Sequence, residues 1–284
     1  MGPADFRNTE QQGSSAGAND MLHMNSADVK RHFDRIGRFR VLVIGRSNAG
    51  KTTLLQRVCD TTELPEIFNA KGEKLDPTVV QGSLERGDHD IENELIFRSN
   101  PGFVFHDSRG FESGSASELE LMKKFIADRA TKKELAKRVH AIWYCIPMCE
   151  SERAVVAAEE WFFNECNTEH VPVIVLLTKA DAMEGQAIGR LRDEGMQMKE
   201  AMLGAESLAP QILSEVSTKI KSQLDGCKYQ PKNYLSLYGM NIQGAECGPL
   251  IRCTTNALDK VEQQKLVISA QQINFDLNIE FAVR

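Results

Sequence analysis

Phe39-Arg-Val-Leu-Val-Ile-Gly45, continued by Arg46-Ser-Asn-Ala-Gly50-Lys51-Thr52-Thr53, decides the fold. The first half is a short apolar run rich in β-branched residues and closed by glycine, the pattern of a buried parallel strand. The second half fits G-x-x-x-x-G-K-[ST] at Gly45, Gly50, Lys51 and Thr52. Leu54-Leu55-Gln-Arg-Val58 follows with apolar spacing suited to a helix. Strand, glycine-bracketed loop and helix are the context the pattern needs. Two glycines permit backbone angles that a Cβ forbids. Successive N–H groups then form an anion-binding nest at a helix N-terminus. Lys51 is placed to reach β- and γ-phosphates, and the Thr52 hydroxyl to ligate Mg²⁺.

The chain of 284 residues is long enough for one large domain or two small ones. A net charge of −6 gives no broad positive field for nucleic acid or an anionic membrane. Cysteines at 59, 145, 149, 166, 227, 247 and 253 are scattered and include no C-x-x-C pair, so reduced thiols are expected rather than a disulfide frame or zinc site. Residues 1–27 are polar, lack the apolar core of a signal peptide and read as a disordered tail. The start fails the myristoylation pattern at Phe6. No apolar run is long enough to span a bilayer. A cytoplasmic location is the expectation, with membrane association through a region beyond Arg284 left open; the end at Arg284 reads as a possible fragment boundary.

Downstream, Val29–Ile36 reads as a short amphipathic piece and residues 60–93 as a long irregular loop containing Asp76-Pro-Thr78. Glu94–Arg98 and Phe103–Asp107 read as strands around a turn at 99–102. The second strand runs into Asp107-Ser-Arg-Gly110-Phe-Glu112. An acidic side chain at a strand's carboxyl end is well placed for a metal, and the Gly110 N–H can approach a γ-phosphate. The periodicity predicts a helix over 118–138, a central strand over 141–146, and a helix from Ser151 to Cys166 with Trp161 and Phe162 in the core. Val171–Leu177 is another buried strand, running into Thr178-Lys179-Ala180-Asp181. The Asp181 carboxylate can accept from the N1–H and exocyclic amine of guanine, while the Lys179 stem lies along the base. Adenine lacks that donor pair.

Residues 183–226 suggest one long helix or two shorter ones. Leu250–Cys253 can be read as the last strand, with Cys253–Thr255 beside the base. The preferred reading makes Leu250 to Val261 helical, with Pro249 at its first position. Tyr234–Tyr238 is then the last strand and Gly239-Met-Asn241 the loop beside the base. A final helix is expected over 263–282. Alternation of strands and helices predicts a three-layer α/β fold, a mostly parallel sheet with helices on both faces. The division expected is a tail at 1–27, one nucleotide-binding domain at 28–260 and a C-terminal helix at 261–284.

Gly45–Thr52, Asp107–Gly110 and Thr178–Asp181 together resemble the phosphate loop, the D-x-x-G switch and the [NT]-K-x-D motif of P-loop GTPases, over roughly residues 38–260. The resemblance implies GTP or GDP as ligand with Mg²⁺. It implies that Gly45, Ser47, Asn48, Ala49, Gly50, Lys51, Thr52 and Thr53 hold the phosphates, and that Thr178, Lys179, Asp181 and Gly239 hold the base. Thr52, Thr78 and Asp107 become the metal residues; Lys51, Thr78, Gly110 and Glu112 become the catalytic ones. The switch Asp-Ser-Arg-Gly-Phe-Glu resembles those of septins and of the immune-associated and chloroplast-import GTPases. The phosphate loop resembles that of the Era and tRNA-modification GTPases. His89–Glu94 with Phe105–Glu112 resembles fungal G-domain proteins of the MMR/HSR1 type.

Phe111 stands where Ras-like enzymes carry the glutamine that orients the attacking water, which implies slow hydrolysis. Glu112, a K⁺ ion near Asn48, or Arg109 acting in cis or across a dimer are the candidate substitutes. The septin-like switch also suggests a homodimer across the nucleotide face, serving an effector the sequence does not name. Low turnover would make the protein a GTP-dependent assembly module.

Overall fold

The computed structural model describes residues 37–76, 90–108, 116–242 and 244–271. Its elements are β1 (Phe39–Gly45), α1 (Lys51–Val58), β2 (Glu66–Phe68), β3 (Glu94–Phe97), β4 (Asn100–Asp107) and α2 (Ala116–Thr131). They continue with β5 (Ala141–Pro147), α3 (Ala157–Glu165), β6 (Val173–Thr178), α4 (Ala182–Asp193), α5 (Met198–Asp225), β7 (Asn233–Ser236) and α6 (Gly248–Ala257). A last helix, α7, covers 261–271. The seven strands form one sheet in the order β2-β3-β4-β1-β5-β6-β7. From β4 to β7 neighbours are parallel, whereas β2, β3 and β4 pair antiparallel.

All seven residues of β1 are buried, because both faces of the sheet are covered. Leu42 and Ile44 face one core with Ile142, Tyr144, Ile146, Val175 and Leu177, packed under helices α2 to α5. Val41 and Val43 face the other core with Trp143, Cys145, Ile174 and Leu176, packed under α1, α6 and α7. The alternation is the period of two that puts successive side chains on opposite faces. Trp143 takes part in the second core and donates its Nε1–H to the Thr254 hydroxyl at 3.1 Å. At the start of β4, a Cβ on Gly102 would lie 2.8 Å from the Ala270 backbone, so the glycine sets how closely α7 packs on the sheet.

Several expectations are corrected. The long loop contains β2, whose three residues are all half-buried and carry no alternation strong enough to read. The turn expected at 99–102 is shorter, and Pro101 and Gly102 belong to β4. Helix α2 ends at Thr131, followed by a 3₁₀ turn at Leu135–Lys137. The segment from Ser151 begins as a 3₁₀ turn, Met148–Arg153, before α3 starts at Ala157. Phe162 is in the core, but Trp161 is 47% exposed, because the helix turns its ring about 100° away from the buried Ala158–Phe162 side. Residues 183–226 form two helices, broken where Gly195 takes φ +95°. The helical reading of 250 onward holds with Pro249 in the first turn, but the helix stops at Ala257, and Val261 is exposed beyond it. The tail at 1–27, the piece at 29–36 and the far part of the last helix, 272–284, lie outside the described residues.

Two buried histidines, His106 on β4 and His140 just before β5, flank Arg40 on β1. The His140 Nδ1 accepts the Arg40 N–H at 2.9 Å, and its Nε2 lies 3.1 Å from the Leu135 carbonyl. The His106 Nδ1 lies 3.0 Å from the Ile91 carbonyl, and the Arg40 guanidinium, paired with Glu94 at 2.7 Å, faces its Nε2 at 3.4 Å. Burial first, then nearby arginine charge, holds His106 neutral with its pKa lowered to about 3. Burial likewise lowers His140 to about 4. Each binds a proton more readily when unfolded, so stability is full above about pH 6.5 and falls as pH drops from there through about 4 and 3. Asp107, raised to about 6 by burial, works in the opposite sense: its contribution is lost as pH rises through 6. The two histidines outweigh it, since each pKa unit is worth about 1.4 kcal/mol. Urea unfolding is therefore expected to show lower stability near pH 5 than near pH 7.5. An equal or higher midpoint near pH 5 would contradict this reading.

Candidate functional site

Three loops meet at the carboxyl edge of the parallel strands. The first leaves β1 at Gly45. A Cβ there would lie 2.4 Å from the Cys145 carbonyl oxygen on the neighbouring β5, so only glycine fits. Asn48 takes φ +56° and Gly50 φ +79°, and α1 begins directly after them. The turn closes through the Ala49 N–H to the Arg46 carbonyl at 3.2 Å, and the Leu54 N–H to the Gly50 carbonyl at 2.9 Å starts the helix. Lys51 folds back over the loop, its Nζ donating to the carbonyls of Gly45 at 3.1 Å and Arg46 at 3.0 Å. Ser47, Asn48 and Thr52 are exposed around the loop, Thr53 is half-buried, and Ala49 is buried beneath it.

The second loop leaves β4, which pairs with β1 through Val43 and Asp107. The Ser108 N–H donates to the Val43 carbonyl at 2.9 Å and fixes the exit. The Asp107 Oδ1 and the Ser108 Oγ are buried without a hydrogen-bond partner among the described residues. Burial raises the Asp107 carboxyl to about 6, and the Lys51 charge opposes the shift. A buried carboxylate oxygen with no donor is costly. A hard divalent cation, which takes oxygen ligands, satisfies it. The Asp107 oxygen therefore fits a hard divalent cation such as Mg²⁺. Thr78, Arg109, Gly110, Phe111 and Glu112 lie outside the described residues.

The third loop leaves β6. The Thr178 hydroxyl donates to the Ala49 carbonyl at 2.8 Å, tying this loop to the first. Lys179 takes φ +54°. The Ala180 N–H donates to the Leu237 carbonyl at 3.0 Å, just past β7. The exposed Asp181 accepts the Gly239 N–H on Oδ1 at 2.9 Å. Gly239 has φ +57°, in the region that favours glycine. The loop after β7 is thus the one beside Asp181, and Leu250–Cys253 is in helix α6. Every expected site residue among the described ones lies on these loops, in the first turn of α1, or at the carboxyl end of β1, β4 or β6.

Two contributors, Arg57 and Arg46, were not among the expected site residues. Arg57, on α1, donates from Nε to the Met240 carbonyl at 2.9 Å and ties the loop after β7 to the helix of the first loop. Arg46, one of the unspecified positions of the glycine pattern, is buried against Glu159 on α3, with Nε to Oε1 at 2.8 Å and Nη2 to Oε2 at 3.0 Å. A buried acid on the inner side of α3 is the one cue, and it points to no partner by itself. Among the described residues no cluster of three His, Cys, Asp or Glu could hold a metal, and no helix is long and apolar enough to cross a membrane.

The family model described as 50S ribosome-binding GTPase (MMR_HSR1) matches residues 40–179, from β1 into the loop after β6. Among solved structures, the septin GTPase domain from Chlamydomonas reinhardtii is similar at 16% identity and a TM-score of 0.31, over 54% of this chain and 58% of that one. A bacterial selenocysteine-specific elongation factor, EF-Sec, is similar at 12% identity and a TM-score of 0.42, over 79% of this chain but only 30% of that one. No curated protein matches the chain.

Proposed function

We infer from the match over residues 40–179 that the chain carries a P-loop GTPase G domain of the MMR/HSR1 type, and we propose that it binds GTP and GDP with Mg²⁺ and hydrolyses GTP slowly. Family membership implies guanine-nucleotide binding, and such domains generally use Mg²⁺. The observation that carries the site is the Asp107 oxygen at the end of β4, buried without a donor among the described residues, beside the strand that runs into the loop of Lys51 and Thr52. We place the nucleotide-binding unit at residues 28–260 and the protein in the cytoplasm.

In this reading the loop amides from Ser47 to Thr53 cradle the phosphates, and the Lys51 ammonium turns from the Gly45 and Arg46 carbonyls to the β- and γ-phosphate oxygens. Thr52 and Asp107 hold the metal, which when bound neutralises charge on the phosphate oxygens. Asp181 accepts from N1–H and the amine of guanine, with Lys179 along one face of the base and the Gly239 N–H at its rim. Thr78 and Gly110 act as the nucleotide-dependent switch positions. Phe111 offers no atom to orient water, so turnover is slow unless Glu112, Arg109 or a K⁺ ion at Asn48 takes that part.

The same phenylalanine favours a second reading, a GTP-dependent assembly module, pairing as a homodimer across the nucleotide face with negligible turnover. Phosphate release from the purified chain separates the two. The hydrolase reading expects release above buffer, rising with K⁺ or with protein concentration. Release equal to buffer with and without K⁺, at every concentration, would leave only the assembly reading.

A further inference from the structure

We infer that the buried Arg46–Glu159 ion pair positions the phosphate loop, making Glu159 on α3 a positioning residue for nucleotide binding; the inference rests on the guanine-nucleotide reading above. The side chains are 2% and 1% exposed, and the guanidinium meets the carboxylate as a fork, Nε to Oε1 at 2.8 Å and Nη2 to Oε2 at 3.0 Å. The remaining donors are also directed. Nη1 reaches the Glu150 Oε2 at 3.2 Å, and Nη2 the Ala154 carbonyl at 3.4 Å. Glu159 is fixed in turn, since its Oε2 accepts the Val156 N–H at 2.9 Å.

What this clamp holds is the functional part of the loop. The Arg46 carbonyl accepts the Ala49 N–H at 3.2 Å and the Lys51 Nζ at 3.0 Å. One residue therefore has its side chain locked into the segment after β5 and its backbone closing the turn under Lys51. The next two residues, Ser47 and Asn48, are exposed, and Asn48 has a positive φ. The other side-chain bonds to the turn come from Lys51 and Thr178, so the Arg46–Glu159 fork is its one tie to α3 among the described residues. Stability does not explain the pair. Exchanging a buried ion pair for apolar side chains of similar volume is often neutral or stabilising, while removing one partner is not. A fixed position for Arg46 is what the fork supplies and an apolar pair does not.

The test uses the full chain, with GDP·Mg²⁺ and inorganic pyrophosphate as separate titrants. The double variant Arg46→Met with Glu159→Leu is expected to keep its melting temperature near the parent's yet to bind both titrants about tenfold or more weakly, the scale of a misplaced binding group. Preference for GDP over ADP should not change, because the base loop is untouched. Arg46→Lys keeps a charge beside Glu159 but loses the fork, and decides the matter if the double variant does not fold; it too should lose affinity for both titrants. Binding within about twofold of the parent in a folded variant would show that the pair serves packing only and overturn the inference. A parent chain that binds neither titrant would instead remove the nucleotide reading, and the inference with it.

Discussion

Replacing Lys51 with alanine is expected to lower affinity for GDP and GTP by about a hundredfold, the largest loss from any single truncation in the loop. The magnitude follows from the bonds removed. Hydrogen bonds to charged groups are worth about 1.5–3 kcal/mol each, and every 1.4 kcal/mol is tenfold. In the free chain the same ammonium donates to Gly45 and Arg46, so the substitution also removes two bonds that close the loop. Gly45 and Arg46 are both buried, so losing their donor should also lower the melting temperature modestly. Calorimetric titration with a parallel melting curve checks both parts. GDP affinity within a few-fold of the parent would remove Lys51 from the phosphate site.

The second large effect is a change of preference rather than a loss. Asp181→Asn should weaken guanine nucleotides by about a hundredfold and favour xanthine nucleotides, on the scale of two charge-assisted hydrogen bonds. The carboxylate accepts two hydrogen bonds from guanine. An amide can accept only one and presents a donor to the guanine amine, whereas xanthine carries an oxygen there. The fold should survive, because the substituted amide can keep its carbonyl on the Gly239 N–H that Asp181 now accepts at 2.9 Å. Competition among GDP, XDP and ADP reads the outcome. If the variant keeps the parent's preference for GDP over XDP, Asp181 does not contact the base.

Much of the edge on which these two residues stand was legible in the chain. β1 declares itself because both its faces are buried, so all its residues are apolar but Arg40 and the closing Gly45. Gly45, Gly50 and Lys51 follow at a spacing tied to one backbone shape. Asp107 and Asp181 were found because each ends an apolar run. The convergence itself is a matter of strand order: β4, β1, β5 and β6 are adjacent and parallel, which brings loops more than a hundred residues apart to one side. Strand β2 has three half-buried residues and no periodicity to betray it. Trp161 is hydrophobic and still faces out, since helical phase, not hydrophobicity, decides which of two neighbours is buried. Arg46 and Arg57 act through long-range bonds to Glu159 and Met240 that no local pattern encodes. The switch residues Thr78, Gly110 and Glu112 were read from the chain, and their placement lies outside the described residues.

The most direct test of the central claim is a titration of the purified chain with GDP, with and without Mg²⁺, followed by competition with ATP. The account predicts saturable GDP binding that Mg²⁺ strengthens and a large excess of ATP fails to displace. No binding of GDP, or displacement by ATP as readily as by GTP, would contradict it.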